Sequence, residues 1–433
     1  MSGTINPDPP KQASRPRVWL LSAEIMTQLG GGCRQQRWCE YFLELGWSVR
    51  IYCLTGLFSV QATDCHSVAE LRTLRTAWLR NAPARSGHRD SPFVRVARFI
   101  KHVFLFDLIY PCIWILFRKL WQALRAEDRK VLFLCSSPPF SLAVVCALIK
   151  CLRGPAVIYA LDMRDYWSLH GVRARFKWHK MLIERFVMRH VDRLTTIGHT
   201  MSLGFLTAFN KNAAVAYNVA THISVSRLQE SEQIDWSTYS CDLKRQTRKI
   251  VYTGSIPEGY YDLEAFVNGC LLILKERPEI ATKVQFVFIG ACRELQRRVK
   301  KHAGLSEFIV FIQPIAHNRS VEAQRAADGL LFMGLHSENN MGQVSMKIFE
   351  YFRNMKPILP LFVRPGSDVD ILIKKYCGST MTLCVDTAVA AVIRKILDEG
   401  CSRLPIPQSL NIEPELLHAY EVVVSELMME LKR

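Results

Sequence analysis

The sequence predicts an α/β protein of two Rossmann-like domains that face a cleft, with a C-terminal helix able to cross back to the first domain. Three observations predict this fold: short apolar segments alternate with amphipathic helices, the alternation occurs twice, and an aperiodic polar stretch separates the two series. The 433 residues, 49% of them hydrophobic, suffice for two packed cores. The predicted divisions are a disordered tail at 1–16, an N-terminal domain at 17–221, a linker at 222–247, a C-terminal domain at 248–411 and a terminal helix at 412–433.

The N-terminal domain opens with a strand, a glycine loop, a helix and a second strand. Val18–Leu21 is the first apolar strand, and Gly30–Gly32 forms the loop. The helix carries Trp38 on its apolar face, and Val49–Leu54 is the second strand. In such a βαβ unit, glycines let the backbone approach a phosphate at the start of the helix.

The later strands of this domain lead into polar or turn-forming residues. Val131–Cys135 is followed by Ser136–Ser141, whose prolines fix a turn and whose serines can cap the apolar helix Leu142–Lys150. Two more strands follow, at Ala156–Ala160 and Arg193–Ile197.

The C-terminal half repeats the alternation, which is typical of a second doubly wound domain. The predicted strands are Ile250–Tyr252, Val284–Ile289, Ile309–Phe311 and Gly329–Met333, and the predicted helices are Leu263–Lys275, Arg293–Lys301, Glu322–Ala327 and Glu413–Lys432.

The charge balance favours an anionic partner. The chain has 56 Lys and Arg against 39 Asp and Glu, a net charge of +17. A sugar nucleotide, an acidic lipid surface or a nucleic acid would suit this charge. No DNA- or RNA-binding motif accompanies it, so nucleic acid is not the expected partner. The basic residues of the N-terminal half form two groups: Arg72, Arg75, Arg80, Arg85, Arg89, Arg95, Arg98 and Lys101, then Arg173, Arg175, Lys177, Lys180, Arg185 and Arg189.

Cysteine usage and the amino terminus predict the compartment. The 14 cysteines form no CxxC pair, and several lie inside apolar runs, where a reduced thiol acts as a small hydrophobe. Residues 1–16 are polar and lack the apolar core of a secretory signal. We therefore expect a cytoplasmic protein.

One apolar segment, Val103–Phe117, bears on membrane contact. It is shorter than the roughly 20 residues that a spanning helix needs, and it contains Asp107 and Pro111. Flanking basic residues and Trp114 favour a helix lying in the membrane interface on the inner face of the cell membrane. A core helix of the N-terminal domain is the alternative.

The stretch Gly342–Phe352 predicts an anion site. It has a glycine, then a short amphipathic helix on which Lys347 and Glu350 share one face. Backbone N–H groups and Lys347 suit a diphosphate, and Glu350 can accept hydrogen bonds from a ribose diol. A solvated ion pair is the structural alternative.

Three charged residues follow a buried strand and are candidates for the acceptor side of the cleft. Asp162, Arg164 and Asp165 come after Ala156–Ala160, at the strand end that lines the ligand crevice in open α/β sheets. A carboxylate there can take the proton of an acceptor hydroxyl, and Arg164 can hold a phosphate or orient a carboxylate. A structural knot of salt bridges is the alternative. Glu338, His170, His199 and His336 are given no catalytic role.

The order of these motifs resembles that of GT-B glycosyltransferases, particularly the family-four group of bacterial surface-polysaccharide enzymes. The N-terminal half carries "SSPPFS" and "DMRDYW", and the C-terminal half carries "YTGS", "FIG", "AQRAADGLLF", "MKIFEYF" and "KPIL". The resemblance covers nearly the whole chain. It implies a retaining transferase that uses a nucleotide-diphosphate sugar without a cofactor or an obligatory metal.

The resemblance also implies roles for single residues. Glu350 matches the glutamate that binds ribose, and Lys347 lies near the phosphates. The other donor-binding positions implied are Gly31 and Gly32 of the N-terminal loop, and Gly254 and Ser255 of the first turn of the nucleotide domain.

This chain departs from the family pattern at two places. Gly342 stands where the first glutamate of the paired signature would be. The turn Ser255–Tyr261 also lacks the usual Arg and Lys.

The function expected is transfer of a sugar to a lipid-linked or saccharide acceptor, in exopolysaccharide, capsule or lipopolysaccharide synthesis. The predicted partners are a nucleotide sugar, that acceptor and an anionic membrane surface. Two alternatives stay open: a sugar-nucleotide epimerase of the same fold, and a non-catalytic protein that binds anions or nucleic acid.

Overall fold

A computed structural model of the chain describes residues 16–22, 30–53, 113–169, 177–217, 236–240, 242–244, 246–256, 259–335, 341–378, 386–401, 404–407 and 412–432. Several predicted features lie outside these residues: the tail at 1–15, the basic group at 72–101, residues 103–112 of the apolar segment, most of the linker, His170, His336 and Glu338.

The first sheet has six strands in the order β2-β1-β3-β4-β5-β6. The pairs β1–β2, β1–β3 and β3–β4 are parallel. β1 therefore lies between β2 and β3, so the switch point of the sheet falls between β1 and β3. The strands are β1 Arg17–Ser22, β2 Ser48–Cys53, β3 Val131–Ser137, β4 Val157–Met163, β5 Arg193–Thr196 and β6 Ala213–Val215. The helices of this half are α1 Gly30–Glu44, α2 Ile113–Arg125, α3 Phe140–Arg153, α4 Lys177–His190 and α5 His199–Phe209.

The second sheet has five parallel strands in the order β11-β10-β7-β8-β9. Its switch point lies between β7 and β10. The strands are β7 Arg248–Thr253, β8 Val284–Ile289, β9 Ile309–Ile312, β10 Gly329–Met333 and β11 Ile358–Leu361. The helices are α6 Leu263–Glu276, α7 Arg293–Val299, α8 His317–Ala326, α9 Met346–Arg353, α10 Asp368–Cys377, α11 Asp386–Glu399 and α12 Ile412–Lys432.

The chain divides into two compact units whose boundaries differ from those predicted at 221 and 247. The first unit comprises Met1–Ser168, Arg175–Thr195 and Tyr420–Arg433, and the second comprises Leu169–Ala174 and Thr196–Ala419. The second unit thus begins its long segment at Thr196, well before the predicted boundary, and within it Thr200 bonds Asp368. Part of the predicted linker also packs there, because Leu243 is buried in a core cluster of that unit.

The terminal helix α12 ends in the first unit, where side chains of α1 and β5 hold it. The ring of Tyr420 packs against that of Trp38 at a tilt of 51°, with centroids 4.4 Å apart, and its hydroxyl accepts from Arg34 at 3.4 Å. Arg193 forms an ion pair with Glu430 at 2.9 Å.

The described part of the apolar segment forms an amphipathic helix. In α2, Leu116, Leu120 and Leu124 are buried at successive turns, so this face packs in the core. Trp114 is 73% exposed, so the outer face keeps an aromatic side chain at the surface. Within the part of the chain that the structure describes, no helix combines the length and the apolarity needed to span a bilayer.

Two local expectations were wrong. The glycines predicted to form a loop at 30–32 lie in the first turn of α1, because the helix begins at Gly30. The serines near α3 are not its N-cap: that position is held by Pro139, which makes no side-chain capping bond. Helix formation begins at Phe140, directly after the two prolines, so Ser141 is already inside the helix.

Candidate functional site

In the second unit, the carboxyl ends of β7 and β8 meet in a turn of closely packed backbone. Gly254 has φ +106°, and Gly290 has φ +132°, a conformation that side chains rarely adopt. A Cβ at Gly290 would lie 2.4 Å from the carbonyl oxygen of Gly254, and one at Gly254 would lie 2.6 Å from Cε of Lys347. Glycine is therefore required at both positions, and Lys347 lies directly against the turn at 254.

Lys347 is a desolvated cation that still has part of its surface accessible. Its Nζ donates to the hydroxyl of Tyr252 at 2.7 Å and lies 4.3 Å from the centroid of that ring. Burial lowers the pKa of Lys347 to about 8, although Cys292 and Glu350 act in the opposite direction. No carboxylate among the described residues forms an ion pair with it. A bound anion would supply the missing charge.

Glu350 lies on the same face of α9 and is held by residues of α8. Gln324 Nε2 donates to Glu350 Oε2 at 3.2 Å and to Thr253 Oγ1 at 2.9 Å. The Oε1 atom of Glu350 lies 3.9 Å from Nε2 of His317. The carboxylate is thus fixed beside the β7 turn with acceptor capacity remaining, as ribose hydroxyls require.

The structure explains why position 342 holds glycine. A Cβ at Gly342 would lie 2.5 Å from the backbone nitrogen of Met201, so a larger residue requires the backbone to shift. Nearby, the carboxylate of Asp368 accepts from the N–H of Thr200 at 3.1 Å and from its hydroxyl at 2.9 Å, at the start of α5. A glutamate at 342 would not fit this packing.

Asp162 occupies a different environment from the one predicted. It is fully buried, and Arg34 donates to both of its carboxylate oxygens. Thr195 Oγ1 also donates to Oδ1 at 2.6 Å. Burial alone would raise the pKa of Asp162, but the charge and hydrogen bonds of Arg34 together with the hydrogen bond from Thr195 outweigh it, so the pKa lies below its usual value. These partners favour the structural alternative for Asp162 over a role as proton acceptor.

The structure places the remaining predicted residues after strands β4 and β7 and in the first turn of α1. Arg164 and Asp165 are partly exposed and directly follow β4. Gly31 and Gly32 lie in the first turn of α1. Ser255 is exposed, and its carbonyl accepts from the hydroxyl of Tyr252 at 2.9 Å, which ties it to the partner of Lys347.

Sequence reasoning missed a buried acid that supports the acceptor-side loop. Glu184 on α4 is fully buried, and its Oε2 accepts from the backbone N–H of Ser168 at 2.9 Å and from the hydroxyl of the same residue. Its Oε1 has no hydrogen-bond partner among the described residues. Burial raises the pKa of Glu184 to about 7. Nothing in the local sequence distinguishes it from the exposed charges of α4.

This pKa predicts a stability that depends on pH. The folded protein keeps the proton of Glu184 up to about pH 7, whereas the unfolded chain releases it near 4.5, so stability falls as pH rises through this window. Glu184→Gln removes the ionisation and keeps an acceptor for Ser168. We expect the variant to exceed the wild type in free energy of unfolding by up to ~3 kcal/mol above pH 7. Urea denaturation at several pH values measures this.

The exposed Glu276, paired with Arg394 on the surface, gives the matched control. Glu276→Gln is expected to leave the pH dependence of the wild type in place. If the free energy of unfolding of Glu184→Gln varied with pH as that of the wild type does, the pH dependence would come from another group.

Gln324, Tyr252 and His317 were also missed. Gln324 is fully buried within the "AQRAADGLLF" stretch. Its polarity at an otherwise buried helix position was the one available signal. Tyr252 was predicted only as a strand residue, because its contact with Lys347 joins positions far apart in sequence.

Comparison with solved structures defines the class of fold as GT-B. Escherichia coli trehalose-6-phosphate protein bound with UDP-2-fluoro glucose is similar at a TM-score of 0.60 and 10% identity, covering 95% of this chain and 98% of that one. An α,α-trehalose-phosphate synthase (UDP-forming) from Burkholderia vietnamiensis is similar at a TM-score of 0.59 and 10% identity, over 96% of this chain and 99% of that one. Staphylococcus aureus MnaA with UDP is similar at a TM-score of 0.54 and 10% identity, over 96% of this chain and 97% of that one.

The likeness is one of fold, in agreement with the two parallel-sheet domains predicted. No protein-family profile matches the sequence, and no curated protein matches it in sequence.

Proposed function

We propose that this protein is a glycosyltransferase that moves a sugar from a nucleotide-diphosphate sugar to a saccharide acceptor. The observation that carries the proposal is Lys347: a desolvated cation without a carboxylate partner in the described residues, set against the Gly254 turn. This turn lies at the switch point of the second sheet, where open α/β sheets bind their ligands. A diphosphate would neutralise the cation, and Glu350 would bind the ribose.

The donor proposed is a uridine diphosphate sugar. The solved structures named above include one bound with UDP-2-fluoro glucose, one with UDP and one described as UDP-forming. They share this fold over at least 95% of the chain. Uridine is therefore the base to test first.

In the proposed reaction the bond between the anomeric carbon and the diphosphate breaks, and a bond to the acceptor oxygen forms. Lys347 stabilises the negative charge that develops on the departing diphosphate. Asp165 takes the acceptor proton, and Arg164 orients the acceptor. Retention of anomeric configuration and independence of metal ions are parts of the proposal that rest on the sequence resemblance.

The proposed acceptor is lipid-linked, and the protein acts on the inner face of the cell membrane in surface-polysaccharide synthesis. The surface of the first unit supports this proposal. Helices α2 and α3 contain no acidic residue, and the acid of α4, Glu184, is buried. Trp114 and Trp178 are 73% and 64% exposed beside basic residues of α2 and α4, a composition suited to an anionic lipid interface.

A binding experiment with Glu350→Gln tests the donor site. Glutamine keeps the shape of the side chain but bonds the ribose hydroxyls less strongly than a carboxylate does. We expect UDP-glucose to bind the wild type in calorimetry more tightly than GDP-, ADP- or dTDP-glucose. The variant should bind it about tenfold more weakly.

Glu276→Gln serves as the control of equal charge change, and its donor affinity should match the wild type. Equal donor affinity in Glu350→Gln would remove Glu350 from the site. Transfer is then measured as nucleotide release with a bacterial lipid extract as acceptor. Conversion of the donor sugar without any acceptor would instead support the epimerase.

A further inference from the structure

The turn between β3 and α3 is a helix start without a side-chain cap. Helix α3 has 14 residues, and its N-cap residue, Pro139, makes no side-chain capping bond, although its carbonyl accepts from the N–H of Leu142 at 3.3 Å. The first N–H groups of a helix have no partner inside the helix, and they carry partial positive charge. This turn also lies at the switch point of the first sheet, because β3 is the neighbour of β1.

Ser137, the last residue of β3, supplies an unused hydrogen-bonding group under this turn. Side chains alternate along a strand, so Ser137 shares a face with Cys135. Cys135 interacts with Cys146 of α3, and Tyr159, on the paired strand, donates to the carbonyl of Ala143 in the same helix. The face that carries Ser137 is therefore the one that α3 covers, and Ser137 points at the first turn.

The hydroxyl of Ser137 is fully buried and has no hydrogen-bond partner among the described residues. Leaving a desolvated hydroxyl unbonded is unfavourable, so an acceptor atom at this turn would gain a hydrogen bond that the free protein lacks.

Arg164 brings positive charge to the same turn. Its backbone N–H donates to the carbonyl of Ser137 at 2.9 Å, and its Nη2 donates to the carbonyl of Pro138 at 2.8 Å. On the other side, the rings of Phe140 and Trp167 stack with centroids 4.9 Å apart and planes at 8°. The start of α3 and the loop after β4 thus form one rigid structure.

We propose that this turn binds a phosphate group of the acceptor, through the first N–H groups of α3, the Ser137 hydroxyl and Arg164. The proposal rests on the glycosyltransferase function proposed above and names the acceptor as a phosphorylated compound. Two sources share this chemistry: a soluble sugar phosphate and a lipid-linked sugar diphosphate.

Inorganic phosphate is the first probe, titrated by calorimetry into the full chain carrying Lys347→Met, so that the donor site does not compete. We expect Ser137→Ala to weaken phosphate binding about fivefold and Arg164→Gln to weaken it about tenfold or more. Circular dichroism of each variant checks the fold.

Ser136→Ala is the matched control. Ser136 is equally buried and its hydroxyl also lacks a partner among the described residues, but it lies on the opposite face of β3. Its register partner is Asp162, which bonds α1. Ser136→Ala should therefore leave phosphate binding unchanged. Phosphate binding equal in all variants, or absent from the parent protein, would overturn the proposal.

Two further titrations identify the source of the phosphate: glucose 6-phosphate in solution, and phosphatidylcholine vesicles containing a polyprenyl diphosphate sugar. The ligand whose binding weakens in Ser137→Ala but not in Ser136→Ala is the source. If the binding of neither ligand weakens in Ser137→Ala, the proposal is contradicted. UDP-glucose binding to the wild type separates the two hypotheses. If UDP-glucose binds the wild type while phosphate does not bind the Lys347→Met parent protein, the donor site stands and the acceptor-phosphate site falls.

Discussion

Lys347→Met is expected to lower the affinity for a UDP-sugar about hundredfold, the largest functional effect predicted for a single residue of this chain. Methionine has nearly the length of lysine but cannot donate charge-assisted hydrogen bonds to a diphosphate. Two such bonds are worth about 3 kcal/mol. The fold should be retained, because removing a desolvated cation without a carboxylate partner in the described residues relieves an unfavourable burial. Calorimetric titration with UDP-glucose measures the affinity.

The same residue predicts how donor affinity varies with pH. Lys347 in the free protein loses its proton near pH 8. A bound diphosphate stabilises the charged form, so binding takes up a proton around this pH. Affinity is therefore greatest below pH 8 and falls as pH rises above it. Calorimetry in buffers of different ionisation enthalpy should show this proton uptake in the wild type and none in Lys347→Met.

Lys275→Met provides a charge-matched control. Lys275 is exposed in the last turn of α6, the end of that helix remote from the carboxyl edge of the second sheet. The affinity of the Lys275→Met variant for UDP-glucose should equal that of the wild type. A pH-independent affinity in the wild type would show that another group binds the diphosphate.

Arg34→Met is expected to destabilise the protein by about 3–5 kcal/mol, the largest stability effect predicted. Arg34 and Asp162 are both fully buried and form a bidentate pair, so removing the cation leaves a buried carboxylate without its counter-ion. The pKa of Asp162 should rise in the variant, so part of the loss should be recovered at acidic pH. Adding Asp162→Asn should also recover part of it. Urea denaturation of the single and double variants measures both effects.

Arg277→Met is the surface counterpart. Its pair with Asp398 is partly exposed, with 34% and 50% of the two side chains accessible, so the change should leave the free energy of unfolding close to that of the wild type. The single variant Asp162→Asn tests the structural role of Asp162. If it abolished sugar transfer while lowering the free energy of unfolding by less than about 1 kcal/mol, Asp162 would have a catalytic role instead.

The strands were predictable because parallel strands buried on both faces are nearly continuous apolar runs. β8, Val284–Ile289, is buried at every position, and its bounds match the prediction. Boundaries set by local capping were harder to predict. The start of α1 at Gly30 and of α3 at Phe140 depends on how each helix meets its sheet, and neither follows from glycine or serine preferences.

For the candidate donor site, the sequence alone indicated Lys347 and Glu350, because their spacing on one helix is local information. The sequence could not show that Gly254 lies against Lys347, or that Gln324 fixes Glu350. These contacts join elements that only the parallel sheet brings together.

The sequence by itself therefore determined the two-domain α/β architecture and the helix that carries the candidate donor residues. Only the tertiary structure decided the state of the charges. In the sequence, Asp162 and Arg164 are both charged residues at the end of one strand. In the structure, Asp162 is paired with Arg34, 128 residues away, whereas Arg164 lies partly exposed at the α3 turn. The physical reason is desolvation: a charged group is structural or reactive according to which partner its fold supplies when water is removed.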